Sequence, residues 1–330
     1  MDYDIAPKIS EDSYNDLSEK AKAKKGDIFL TKTGTVGLSA YVNEDFPIAI
    51  TQNIAVIRVP NEKYSHQFIL QTFKTQSFYR TAISKVNQST IMDLQLQDIR
   101  KLLVSFPSKQ EQEKIASFLT SVDEKIEKLS KKDELLQQYK KSIMQKIFNQ
   151  EIRFRDDNGD EFSKWENKRL EDVLSTVSTK LYQIKSTDIL EKGTYKVIDQ
   201  GQNKVAGYCN DDNKVYRNGE IIVYGDHTTI VKYIDFDFIV GADGTKLLTT
   251  IKSNNLKYMY YNLLYNNIQA EGYKRHFSIL RTVILQIPCI EEQNKIANFL
   301  SNIDDKIEEN QKVLEKAKEF KKSLFQQMFV

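Results

Sequence analysis

Three histidines, His66, His227 and His276, and two cysteines, Cys209 and Cys289, are the residues best suited to metal binding or nucleophilic chemistry in this chain. They stand far apart, with no C-x-x-C pair and no Cys/His cluster at ligand spacing, so neither a zinc site nor a disulfide framework is indicated. Asp226-His227 is the one pair worth noting, and it reads as loop polarity suited to ligand contact rather than as a general acid and base. The five prolines are never adjacent, which excludes an Asn-Pro-Pro-Tyr or Asp-Pro-Pro type of adenine-methylation motif. No G-x-x-x-x-G-K-[ST] phosphate loop is present for ATP-driven work. The sequence therefore predicts no catalytic residue, no metal ligand and no cofactor held by the chain itself.

What the chain does carry is polar loops whose side chains could read base edges. They are Thr31-Lys32-Thr33-Gly34-Thr35, Gln52-Asn53, Gln88-Ser89, Tyr224-Gly225-Asp226-His227-Thr228, Asp243-Gly244-Thr245-Lys246 and Lys274-Arg275-His276. Asn and Gln can pair bidentately with adenine, Lys with guanine, and Thr offers a hydroxyl or methyl contact. The same residue types build hairpin turns, so each loop also reads as turn chemistry. The stretch from Ile251 to Leu285 sets Lys252, Lys257, Lys274, Arg275 and Arg281 against Glu271 alone, among Tyr258, Tyr260, Tyr261, Tyr265 and Tyr273. Lys63 to Lys101 has a similar bias. Basic groups among aromatics suit phosphate contact and stacking, and equally a solvated face over an aromatic core.

These loops need a scaffold, and a long internal repeat describes it. Pro107 to Phe148 recurs at Pro288 to Phe329. Glu111-Gln112, Lys114-Ile115-Ala116, Phe118-Leu119, Asp123 and Lys125-Ile126-Glu127 return as Glu292-Gln293, Lys295-Ile296-Ala297, Phe299-Leu300, Asp304 and Lys306-Ile307-Glu308. Such a period exceeds the ~20–50 residues of solenoids and suggests a duplicated working unit, with pseudo-two-fold symmetry as the expectation.

Each copy has the alternating three-and-four spacing of a coiled-coil seam: Ile115, Leu119, Val122, Ile126 and onward to Ile147, then Ile296, Leu300, Ile303, Ile307 and onward to Met328. Asn310 and Lys321 interrupt the second seam. Ser108 with Glu111 reads as a capping box for the first helix, whereas the second has Cys289 at the corresponding position. Neither helix can bury its stripe alone, so the two are expected to bury each other. At ~1.5 Å per residue, about 38 residues run nearly 60 Å, more than one duplex turn.

Ahead of each helix lie short β-like runs. They are Gly26–Leu30, Gly37–Val42 and Asn53–Val59, followed by a helix over Phe68–Tyr79, and then Tyr195–Ile198, Glu220–Tyr224 and Phe236–Val240, followed by a helix over Leu256–Tyr265. The fold class expected is α+β, with a twisted antiparallel sheet in each domain. Boundaries fall at 1–106, 107–150, 151–287 and 288–330. Hydrophobic residues at 40% and charged residues at 28% suit folded domains. A net charge of +2 disfavours a polybasic membrane or histone-like binder, so any nucleic-acid surface is local. No stretch reaches the ~18 apolar residues of a membrane span and the N-terminus is unlike a signal peptide, so a cytoplasmic protein is expected.

The segment Pro107-Ser108-Lys109-Gln110-Glu111-Gln112-Glu113-Lys114-Ile115-Ala116 and its copy after Pro288 resemble the helices of type I restriction-modification specificity subunits. The linker from Ile152-Arg153-Phe154-Arg155 through Gly159, Phe162 and Trp165 to Leu170 is similar to the start of the second target-recognition domain in that family. Gly26-Asp27-Ile28 with Thr33-Gly34-Thr35 resembles its recognition-domain pattern. The resemblance covers nearly the whole chain. It implies two target-recognition domains at opposite ends of an antiparallel helical pair, each reading half of a split site in double-stranded DNA. It further implies two methylation (M) subunits and restriction/translocase (R) subunits as partners, with S-adenosylmethionine, ATP and Mg belonging to them. Nothing before Gly26 corresponds to Arg153 to Leu170, so the first domain is expected to be N-terminally shortened and the second to be the more dependable reader. The competing readings are a non-catalytic coiled-coil scaffold or dimerisation protein without sequence-specific reading, and a stand-alone nuclease, for which no carboxylate cluster is evident.

Overall fold

The computed structural model describes residues 5–60, 62–86, 92–241, 243–251, 253–272 and 274–329. It divides into two compact units, residues 1–132 with 310–330 and residues 133–309. The first unit is discontinuous and the second is one stretch, and each holds part of both long helices.

The first unit opens with helix α1 (Glu11–Asn15), then strands β1 (Lys22–Ala23), β2 (Ile28–Thr31), β3 (Ser39–Tyr41), β4 (Ile48–Ala49) and β5 (Ile54–Ile57). Antiparallel β3-β2-β5 forms its main sheet, and β1 pairs with β4. Alternation along β2 sends Ile28 and Leu30 into one core with Ile69 and Phe73, and Phe29 into another with Ala23 and Val42. The single helix expected over 68–79 is two, α2 (His66–Phe73) and α3 (Gln76–Ile83). The break is made by Thr75, whose extended backbone and hydroxyl, accepting from Phe78 N, start a new helix. Helix α4 (Leu96–Ile99) precedes the long helix α5 (Lys109–Phe148).

The second unit holds β6 (Glu166–Arg169), α6 (Leu170–Val173), β7 (Leu174–Val177), β8 (Tyr195–Ile198), β9 (Gly207–Cys209), β10 (Val215–Tyr216), β11 (Ile221–Gly225), β12 (Val231–Ile234), β13 (Phe238–Val240), β14 (Thr245–Thr250), α7 (Leu256–Tyr265), α8 (Phe277–Leu280), β15 (Ile284–Ile287) and the start of α9 (Ile290–Met328). Strands order as β12-β11-β14-β7, β10-β13-β8-β9 and β15-β6. β11 is buried throughout, with Ile222 and Tyr224 on one core and Ile221 and Val223 on the other. The sheets are not wholly antiparallel, since β13 runs parallel to β8. Four strands, β9 to β12, separate them in sequence, which allows the parallel crossover that a tight turn could not make.

Both long helices form, at 40 and 39 residues, and they pair antiparallel within each unit. In the second unit Lys140 Nζ meets Asp304 at 2.5 Å, and in the first Lys321 meets Asp123 while Asn310 Nδ2 donates to Leu129 O at 3.0 Å. Leu119, Ile296, Leu300, Ile303 and Ile307 are buried. Ile115, Val122 and Ile126 are partly buried, as expected for a seam two helices wide. Ser108 Oγ accepts from Glu111 N, one half of the expected capping box.

Candidate nucleic-acid interface

In the second unit, the hairpin between β11 and β12 turns through Gly225–Ile230, with Gly225 N donating to Ile230 O at 2.8 Å. Thr229 sits at φ 57°, an uncommon conformation for a threonine, and its carbonyl accepts from Asn267 Nδ2 at 2.6 Å. Three other segments are tied to this hairpin. Gln200, on the loop after β8, accepts from His227 N at 3.1 Å, donates to Asp243 O at 2.9 Å, and takes the Thr228 hydroxyl on its own carbonyl at 2.6 Å. Gly244 lies where a Cβ would come within 2.6 Å of Gln200 Nε2 and 2.7 Å of His227, and its φ is +86°, so the loops meet this closely only around a glycine. The segment before α8 joins through His227 Nδ1 against Lys274 O at 3.2 Å.

Asp226 and His276 form the knot beneath. The Asp226 carboxylate accepts from Phe277 N at 2.9 Å and faces Lys246 Nζ at 3.7 Å. His276 Nε2 accepts from Glu271 N at 3.0 Å, which leaves the proton on Nδ1 to donate to Asp226 O at 3.1 Å. The imidazole is thus a neutral cross-brace. Lys232 is buried under the same loops, its ammonium donating to Asp199 O and Asn203 O at 2.8 and 2.6 Å, and burial pushes its pKa down.

The first unit repeats the plan in smaller form. The loop after β2 is bridged to the segment before α4: Leu94 N donates to Lys32 O at 2.7 Å and Gly34 N to Met92 O at 2.9 Å. Thr33 Oγ1 donates to Asp93 at 2.6 Å and Lys32 Nζ stands 3.4 Å away, which together hold the Asp93 carboxyl below its usual range. Lys32 N donates to Asn53 O at 2.8 Å, bringing the Gln52-Asn53 loop alongside.

Against the expected readers, the structure separates display from support. Thr35, Gln52, Asn53, Lys274 and Arg275 are exposed, and Lys32, Thr33, His227, Thr228 and Lys246 are partly so. Tyr224, Asp226 and His276 correct the expectation: they are 0%, 3% and 1% exposed, with their polar atoms turned inward, so they shape the surface without presenting a side chain to a ligand. Gln88 and Ser89 lie outside the described residues. Sequence reasoning missed Gln200, Asp93 and Lys232. The polar run Asp199-Gln200-Gly201-Gln202-Asn203 directly after a strand was the available signal for the first of these. Among the described residues, Arg275 has no ion-pair partner, while Lys274 meets Glu271 at 2.6 Å. The result is a polar face of backbone-braced loops, partly cationic and open to solvent, suited to non-covalent recognition of an anionic polymer.

A family model described as type I restriction modification DNA specificity domain matches residues 4–137 and 162–319. A type I restriction enzyme specificity subunit of Escherichia coli is 30% identical over 37% of this chain and 32% of its own length. One from Methanocaldococcus jannaschii is 28% identical over 47% of this chain and 37% of its own length. The matched stretches thus span about a third of each of these two relatives. Among solved structures, the S subunit of a type I restriction-modification system from M. genitalium shares the fold with a TM-score of 0.68, at 17% identity, over 95% of this chain and 85% of that one.

Proposed function

The chain belongs to the type I restriction modification DNA specificity family, and we propose that it is the DNA-reading subunit of a type I restriction-modification complex. In this reading it recognises a split site in double-stranded DNA in the cytoplasm. Methylation subunits dock on it and methylate adenine from S-adenosylmethionine, and restriction/translocase subunits cut with ATP and Mg. The observation that carries the proposal is the recurring loop cluster. In each unit the turn after the central strand (β2 or β11) is pinned to the segment before a short helix (α4 or α8). Backbone-braced loops displaying Thr, Asn, Gln, Lys and Arg side chains are a means of presenting donors and acceptors in fixed positions to a groove. The helices, at about 1.5 Å per residue, are long enough to set the gap between two half-sites.

A scaffold would need the helical pair and leave the cross-braced loops without a role. The two readings are separated by competition binding of the chain assembled with its methylation subunits. A reader retains one duplex sequence against excess random duplex, and Arg275→Ala weakens all sequences about equally while lowering the salt slope by about one, as loss of a phosphate contact does. A scaffold shows no preferred sequence and no response to that substitution.

A further inference from the structure

The repeat lets each strand of one unit be matched to its counterpart in the other, and one side of the first unit lacks partners that the second unit has. β14 pairs with β7, with Thr249 opposite Ser175, Leu248 opposite Thr176 and Leu247 opposite Val177. Its counterpart β5 occupies the same place beside the central strand, but among the described residues its other edge carries no ladder. β15 pairs with β6, and there Leu285 and Ile287 are buried. The counterpart of β15, Leu103 to Phe106, forms no strand, and Phe106 is 40% and Leu103 93% exposed.

Two further observations point to the same place. Glu292 is fully buried, with Arg153 donating to both carboxylate oxygens at 3.2 and 2.7 Å and Trp165 Nε1 donating at 2.9 Å. Its repeat counterpart Glu111 is exposed, and the described residues give its carboxylate no partner. Between β5 and the Leu102–Phe106 stretch lies an apolar cavity of about 610 Å³ lined by Ile57, Val59, Leu102, Val104 and Phe106 among others. In the second unit the corresponding positions pack on Leu170, Val173 and Leu174.

We propose that this side of the first unit is an acceptor for a segment of the Arg153–Val177 kind donated by a separate polypeptide. An open ladder edge supplies backbone hydrogen bonds to an added strand, which is strand addition, and the cavity supplies pockets for alternate side chains. The donated segment runs antiparallel along Ala55–Ile57, with apolar residues at the spacing of Leu170, Val173 and Leu174 filling the cavity. Glu111 receives the basic and indole donors that Arg153 and Trp165 give to Glu292. The carboxylate selects a donor that carries Arg and Trp ahead of the apolar run over a purely aliphatic strand.

The test titrates a fluorescent peptide, residues 151–178 of this chain, into the full-length protein. Saturable one-to-one binding is expected. Glu111→Lys, Ile57→Lys and Val104→Asp should each weaken it at least about tenfold, while Leu103→Ser, at an outward-facing position, leaves it unchanged. Glu111 is exposed, so its variant tests the site with folding intact, checked by circular dichroism. The proposal is overturned by absence of binding, or by binding indifferent to the first three substitutions, which would place the peptide in the second unit. It is also overturned if sedimentation shows a dimer of the chain that Ile57→Lys dissociates, because a second copy would then be the occupant.

Discussion

Glu292 is a carboxylate with no access to water, held by the Arg153 guanidinium and the Trp165 indole, and the hydrogen bond to Glu292 is the first cause that raises the Arg153 pKa. Removing one partner of such a pair leaves the others desolvated and unpaired, which costs about 3 kcal/mol. Glu292→Ala should therefore lower the urea midpoint by that equivalent, whereas Glu111→Ala at the exposed counterpart should stay within about 0.5 kcal/mol. Equal losses at the two positions would contradict the assignment. Tyrosines make a second prediction. Burial, then Asp304, pushes the Tyr260 hydroxyl up to about 12, and burial likewise raises Tyr258 and Tyr261. In the unfolded chain they ionise near ~10. Above that pH the unfolded state binds fewer protons, so their contribution to stability is intact below pH ~10 and is lost as pH rises towards about 12. Unfolding followed by phenolate absorbance should show these rings ionising together with loss of structure. At this scale the residue types were legible but their direction was not: Tyr224 and His276 look like readers in the sequence, and only the register of β11 and the Asp226–His276 hydrogen bonds turn them inward.

Helices α5 and α9 were readable from their repeating stripes, because a seam needs only periodicity, and Asn310 was visible as its polar break. What periodicity could not show is how each helix start is locked to its domain. Gln112 accepts from Ser65 N at 3.0 Å and donates to Pro107 O at 2.9 Å. Gln293 accepts from Asn255 N and donates to Pro288 O, both at 2.9 Å. The repeated Glu-Gln pairs recorded this device without revealing it, since Ser65 and Asn255 are distant in sequence from the glutamines they hold. Truncating either glutamine to Ala strands a buried amide and a carbonyl, at about 1–3 kcal/mol each. With no shared partners the two losses should add in the double variant, measured by chemical denaturation. Asn310 acts oppositely. Its amide donates to Leu129 O but its own oxygen is buried with no hydrogen-bond partner, so Asn310→Leu should raise the denaturation midpoint while weakening the fixed register of the pair. A destabilised Leu variant would mean that the hydrogen bond outweighs the buried oxygen.

For the molecule as a whole, duplication was the strongest signal in the sequence, and the two compact units repeat the loop brace and the helix lock, each with its own partners. The division into units followed less directly, because helices that pair antiparallel place sequence-distant ends together, which contiguous boundaries cannot express. Nor could the convergence of Gln200, His227, Asp243 and Lys274 be read from spacing, as these residues come from four separate segments. On the proposed function, these clusters read base sequence. Its most direct test is sequencing of adenine methylation on DNA exposed to the chain assembled with methylation subunits. Methylated adenines confined to a split motif with a fixed gap are expected, and a changed motif when Gln52-Asn53 or Lys274-Arg275 is replaced. Methylation without a motif, or a motif unaltered by both replacements, would contradict it.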